Sequence, residues 1–257
     1  MKNSVPICMA LGTVWRWEPP GNRDILLPYL SDLDIDGVEI TLATENNLRD
    51  FKPSPEHVDW LRSLPWISIH APFHLDAVRP RERLREIFER LTHLVNLLNA
   101  QNVVVHPTGR SVFDFALDYD LPLCTENLSP NSGIGGRELE RILERYPDLG
   151  LCIDVAHAFF WSSLETARLV GKFGDRVRQV HLSGVRRKTD HNSLQGMPDE
   201  YMQSIAPIAD LTVPIIIEEE LMPGAVNLLH EEVAFVRRWW EIVNADRAEI
   251  QTSAHEY

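Results

Sequence analysis

Leu149-Gly150-Leu151-Cys152-Ile153-Asp154-Val155-Ala156-His157 begins as a short apolar run, closes on a carboxylate and adds a histidine three residues further on. An acid at the end of an apolar run is costly unless a partner or a cation answers it. The same ending recurs along the chain. Glu39 sits in GVEI, His70 ends WISIH, His106 follows VVV, Glu126 lies in LCTEN, His181 in VRQVHL and Glu218 in PIIIEEE. The runs that carry these residues, with one N-terminal run, are Val5–Gly12, Gly37–Leu42, Trp66–His70, Asn102–His106, Leu121–Asn127, Leu149–Val155, Val177–Leu182 and Val213–Glu219. They are near-continuously apolar, the pattern of parallel strands buried on both faces.

Helical patterns separate the runs. Arg83–Ala100 places Leu84, Ile87, Phe88, Leu91, Leu94, Val95 and Leu98 on one stripe, and Val226–Val243 repeats the device. Asn22–Leu33, Pro55–Leu64, Arg137–Tyr146 and Phe160–Lys172 are shorter candidates, Ser111–Tyr119 is brief, and Met197–Ala209 is interrupted by Pro207. Eight strand–helix repeats in 257 residues predict a (β/α)8 TIM barrel, with a doubly wound open sheet as the competitor. No linker interrupts residues 1–244, which read as a single domain; residues 245–257 read as a polar C-terminal tail.

The net charge of −13 opposes long-range attraction to nucleic acid or to an anionic membrane. No apolar run approaches the roughly 20 residues that span a bilayer. The N-terminus shows no apolar signal segment, so a cytoplasmic location is expected. Cys8, Cys124 and Cys152 all lie in apolar runs, an odd count that reads as small buried hydrophobes rather than a disulfide framework.

Barrel enzymes assemble their sites from the C-terminal ends of several strands. His70, His106, Glu126, Asp154, His181 and Glu218 would therefore converge on one mouth, where several acids repel each other unless a metal intervenes. His157 and His191 lie just past strand ends. Imidazole with carboxylate suits zinc, manganese or iron(II) better than magnesium or calcium. Glu39 is expected as an outer support or substrate contact, and Phe73 as a ring stacking on substrate or packing at the mouth. His57, His93, His230 and His255 read as solvated.

The motifs HAPF (70–73), HPTG (106–109), EN (126–127), DVAHAF (154–159), HLSG (181–184), HNSLQG (191–196) and IIIE (215–218) together resemble the xylose isomerase-like TIM barrel superfamily. That superfamily includes AP endonuclease family 2, with endonuclease IV, and many sugar isomerases and epimerases. The resemblance implies that Glu126, Asp154, His181 and Glu218 form one metal site. It implies that His70 and His106, with Glu126 bridging, match an extra site of endonuclease IV. His157 and His191 match two ligands of a third metal there. That metal also takes an aspartate two residues before the second histidine; here the position is Thr189, and Asp190 is shifted by one. The glycine turn that follows reads Gln195-Gly196-Met197.

Two activities follow from this reading. The first is phosphoester hydrolysis with two or more divalent transition metals, zinc or manganese, bridged by Glu126. The second is sugar or sugar-phosphate isomerisation or epimerisation, with Glu126 and Glu218 as the acid/base pair and His157 and Arg187 as substrate contacts. The first is preferred because His70 and His106 have work only in a multi-metal site. Arg187, in the run Arg186-Arg187-Lys188, is placed to grip a phosphate. The expected partner is a small phosphoester or sugar, or damaged DNA, and no membrane. A third possibility is a binder without turnover.

Overall fold

The structure is a computed structural model that describes residues 5–19, 23–107 and 110–254, of which 110–111 and 246–254 by backbone alone. Eight strands close into a parallel barrel: β1 (Ile7–Ala10), β2 (Gly37–Thr41), β3 (Trp66–His70), β4 (Asn102–Val105), β5 (Leu123–Glu126), β6 (Gly150–Asp154), β7 (Val177–Leu182) and, last in the chain, β10 (Ile215–Ile217). β1 pairs with both β2 and β10, which rules out the open sheet. β8 (Gly184–Arg186) and β9 (Thr189–Asn192) form a separate antiparallel hairpin above β7, where the sequence suggested a plain loop.

Each barrel strand alternates. Val38, Ile40, Ile67, Ile69, Val103, Val105, Leu151, Ile153, Val180 and Leu182 join the main core between strands and helices. Their neighbours point the other way, into the barrel, and many are polar: Glu39, Ser68, His70, Asn102, Glu126, Asp154, Gln179 and His181 are all buried. The lower interior is closed by small clusters that contain all three cysteines: Cys8, Ala10 and Ile216, then Val104, Cys124 and Cys152. All three thiols are free and fully buried, as expected of small hydrophobes.

The helices follow local rules, with several departures from the sequence reading. The interval 22–33 breaks into a single 3-10 turn, Asp24–Leu26, and the short α1 (Pro28–Ser31), because Pro28 has no N–H to continue a helix. Asn22 lies outside the described residues. α2 (Glu45–Asp50) escaped the apolar-stripe test because Leu48 is its one apolar side chain; Thr44 and Asn47 start it with a reciprocal capping box. α3 (Pro55–Ser63) is capped by Ser54. α4 (Arg81–Leu98) buries the expected stripe and stops at Asn99, whose φ of 55° is left-handed. α5 (Arg110–Ala116) and α6 (Gly136–Arg145) follow. The span 160–172 is two helices, α7 (Val155–Trp161) and α8 (Glu165–Phe173), separated at the extended Ser162. α9 (Asp199–Ile205) passes into a 3-10 turn that holds Pro207.

α10 begins at Val226 and does not stop at Val243 but runs to Ala254. The expected tail holds Ala245, Arg247, Ala248, Glu249 and Gln251 with no glycine or proline, so nothing ends the helix there. Residues 255–257 lie outside the described set, as do Met1–Ser4 and Thr108 and Gly109 of the HPTG motif. Among the described residues no helix is long and apolar enough to cross a membrane.

Gly37 marks where three strands crowd. A Cβ there would lie 2.2 Å from the Trp66 carbonyl oxygen and 2.8 Å from Cys8 Sγ. Backbone cannot yield as a flexible side chain does. Gly37→Ala is expected to cost about 3 kcal/mol and to lower the melting temperature by about 6–12 °C. A thermal melt within about 2 °C of the parent would show that β2 and β3 can separate without penalty.

Candidate metal centre

The barrel delivers the ligand-type side chains to one rim. Asp154 and His181 are register neighbours on β6 and β7. Glu126 ends β5, His70 ends β3, His106 follows β4 and Glu218 follows β10. Four groups place ligand atoms within 4.8 Å of one another: His70, His106 and Glu126; Glu126, Asp154 and His181; Glu39, His181 and Glu218; Asp154, His157 and His191.

Glu126 lies at the centre. Its Oε2 is 3.2 Å from His70 Nε2, 3.8 Å from His106 Nε2 and 3.7 Å from His181 Nδ1, while Oε1 is 3.1 Å from His157 Nδ1. His181 Nδ1 also lies 2.8 Å from Glu218 Oε2. Asp154 caps α7: its Oδ1 accepts the His157 amide at 2.7 Å, which is why the strand ends there and the helix starts. Oδ2 is left facing the cluster, 3.5 Å from His157 Nδ1.

The shifted aspartate also reaches the cluster. Asp190 Oδ2 is 3.3 Å from His157 Nε2, and its Oδ1 is 4.0 Å from His191 Nε2. His191 has a φ of 53°, and this left-handed turn brings adjacent side chains of β9 to one point, which a regular strand would hold on opposite faces. Asp190 thus joins the set that the sequence reading left at His157 and His191.

The residues fit bound cations on two counts. Asp154 Oδ2 is buried without a hydrogen-bond partner. Each of several histidines also fixes one ring nitrogen and turns the other inward. His70 Nδ1 faces the Ala71 carbonyl at 2.9 Å and His191 Nδ1 the Glu218 carbonyl at 2.9 Å. His181 Nε2 faces Glu39 Oε1 at 3.1 Å. Outer acceptors of this kind orient metal-binding imidazoles.

Electrostatics agree. Burial pushes the His106 imidazole down to about 3, leaving it neutral with a free lone pair. Burial also opposes ionisation of Glu218, but His181 and His191 outweigh it and bring the carboxyl to about 2. For His181 burial works against the charged ring, yet the surrounding carboxylates of Glu218, Glu39 and Glu126 raise it well above the usual range. Imidazole protons and a divalent ion compete for the same acids, so metal binding at this cluster would release protons.

Of the supporting layer, sequence reasoning found Glu39, as an outer support or a substrate contact, and passed over the rest. Glu39 is fully buried with no surface open to a substrate; Gln179 Nε2 donates to its Oε2 at 2.5 Å and Ser68 Oγ at 3.0 Å. Asn102 Nδ2 donates to Gln179 Oε1 at 2.9 Å. Asn127 clamps β6 through both the amide and the carbonyl of Asp154. Ser68 and Gln179 sit two residues before a candidate ligand histidine, so the period of two was the signal that could have found them. Gln179→Met is expected to weaken metal binding about 10- to 100-fold. Competition with a chelator measures this, and an unchanged affinity would remove Gln179 from the support of His181.

Phe73 stacks on His106 with ring centres 4.9 Å apart and meets His70 edge-on at 5.1 Å. A cavity of about 540 Å³ opens beside the cluster, with Phe73, His191, Glu218, Thr41 and Trp15 in its wall. Arg187 lies on the exposed turn between β8 and β9, with a φ of 57°. His93 and His230 are exposed, His57 is half-buried, and His255 is outside the described residues.

The family model described as the xylose isomerase-like TIM barrel matches residues 37–215. The chain belongs to that family. Among solved structures, this xylose isomerase-like barrel is similar to endonuclease IV of Thermus thermophilus, with 20% identity over 92% of this chain and 99% of that one and a TM-score of 0.64. It is similar to the D-allulose 3-epimerase of a Methylomonas species, with 14% identity over 91% and 96% of the two chains and a TM-score of 0.66. A further likeness is to the TTHB071 protein of Thermus thermophilus, solved after soaking with ZnCl2, at 20% identity over 89% and 96% and a TM-score of 0.54. At these identities the likeness is one of fold. No curated protein matches the chain.

Proposed function

We propose that this family member is a phosphoester hydrolase that uses two or more divalent transition metals, zinc or manganese. One observation carries the reading: the single carboxylate of Glu126 lies among four imidazoles, with His70, His106 and His181 around its Oε2 and His157 at its Oε1. A mononuclear site leaves His70 and His106 without a task. His70, His106 and Glu126 would hold one metal; Glu126, Asp154, His181 and Glu218 a second; His157, His191 and Asp190 suit a third. Bound metals of this kind supply an activated water and offset charge on the attacking and leaving oxygens.

The chain's own groups do the rest. Glu126 fixes the spacing of the two halves of the site. Glu218, ionised in the cavity wall, accepts a hydrogen bond from an attacking water and orients it. Phe73 offers its face to a base or sugar ring and is held in place by His106. Arg187, out on the hairpin turn, suits the distal phosphates of a longer substrate such as damaged DNA.

A metal-dependent sugar or sugar-phosphate isomerase or epimerase is the second reading. Its support is the enclosure of the cavity and the closeness of Glu126 and Glu218, which flank His181 Nδ1 at 3.7 and 2.8 Å and could pass a proton between neighbouring carbons. Nicking of abasic-site DNA and cleavage of a small phosphodiester, run beside a sugar-isomer screen, test the pair. Turnover of a sugar with no cleavage of either ester would overturn the hydrolase.

A further inference from the structure

Arg23 carries a charge that nothing else in the described chain answers. Its side chain lines the cavity beside the metal cluster. The residue is 9% exposed, and its Nε is buried without a hydrogen-bond partner. Burial lowers its pKa. Nε of Arg90 and of Arg176 is likewise unpartnered, but the guanidinium groups of the other shielded arginines do find acceptors. Arg176 donates to the Leu143 and Tyr146 carbonyls, Arg90 to the Phe51 carbonyl and Arg168 to Glu140 and Glu165.

The nearby acids are engaged elsewhere. Asp24 accepts the Lys52 amide at 2.9 Å. In the cavity wall Glu220 pairs with Arg16 at 2.8 Å, Glu219 accepts the Leu194 amide at 3.1 Å, and Glu218 faces His181. A guanidinium stays charged at any ordinary pH. Burying one without a counter-charge is costly, so its retention in a cavity wall points to a ligand that brings the charge.

We propose that this cavity is a subsite for an anionic group, a phosphate or a carboxylate, received by the forked N–H donors of Arg23 while the reacting end of the same molecule lies at the metal cluster. The substrate is then compact, and it carries an anion separate from the bond that reacts. Trp15, Leu26 and Phe73 supply apolar surface for the carbon frame between the two ends. A volume of about 540 Å³ suits a small metabolite. The subsite stands on Arg23 alone; only the placement of the reacting end rests on the metal-centre reading above.

The test uses full-length protein carrying Glu126→Gln, so that phosphate held by a metal pair does not report. Calorimetric titration with inorganic phosphate, and separately with acetate, should show binding of one or both. The preferred anion names the substrate's charged group. Adding Arg23→Gln should weaken that binding at least tenfold, and adding Arg23→Lys, which keeps the charge but loses the fork, should weaken it less. A thermal melt checks that each variant is folded, and the lysine variant carries the comparison if the glutamine one is not. Equal binding with and without Arg23, or no binding of either anion by the folded parent, overturns the subsite. A full metal complement in the Glu126→Gln parent would instead overturn the bridging role of Glu126 and leave the Arg23 comparison standing.

Discussion

Glu126→Gln is expected to reduce the metal content from two or more per chain to one or fewer and to lower turnover at least about 1,000-fold, equivalent to about 4 kcal/mol of transition-state stabilisation. The substitution keeps the shape of the side chain and one carbonyl oxygen. It removes the negative charge and the second anionic oxygen from a residue that is 2% exposed and touches four histidines. An amide cannot bridge two cations, and its N–H groups would point at His70 or His157 where a metal belongs. Elemental analysis of purified protein beside a turnover assay reads both effects at once. Retention of metal and activity together would remove Glu126 from the centre of the site and the proposed chemistry with it.

His106→Ala separates the two activities. His106 meets the cluster through Glu126, at 3.8 Å, and edge-on against the His70 ring, with centres 5.0 Å apart, and belongs to the ligand group that excludes Asp154, His181 and Glu218. Its removal should cost a two-metal hydrolase at least about 100-fold, the upper end of what an outer-sphere partner costs, with one metal equivalent lost. A mononuclear isomerase would keep its metal on Glu126, Asp154, His181 and Glu218 and stay within about tenfold of the parent. Some loss of stability accompanies either outcome, because Phe73 loses the ring it stacks on, worth about 0.5–1.5 kcal/mol. A folded variant with unchanged metal content and unchanged phosphoester cleavage would argue that His70 and His106 are structural.

Much of this was legible before any coordinates. WISIH ends in a ligand-type residue and VRQVHL carries one next to its end, and such residues at most strand tips indicated both the barrel and its working face. What went unread lay in the same runs. Taken as near-continuously apolar, they hid an alternation in which Ile67 and Ile69 face the helices while Ser68 and His70 face inward. Ser68 and Gln179 were passed over for that reason. Arg23 drew no reading of its own inside the helix candidate Asn22–Leu33, which Pro28 interrupts.

The sequence by itself determined the barrel, its polarity and the identity of the side chains at its mouth, because periodic burial and the cost of an unanswered acid act locally along each strand. Only the tertiary structure decided how those side chains divide the work. Closure sets residues 140 apart in sequence in hydrogen-bond contact, as with Gln179 and Glu39. It selects which nitrogen of each histidine faces inward, lets the left-handed turn at His191 bring Asp190 to the cluster, and leaves Arg23 Nε without a partner in a cavity wall. Those outcomes depend on angles around a closed ring, and spacing along the chain does not encode them.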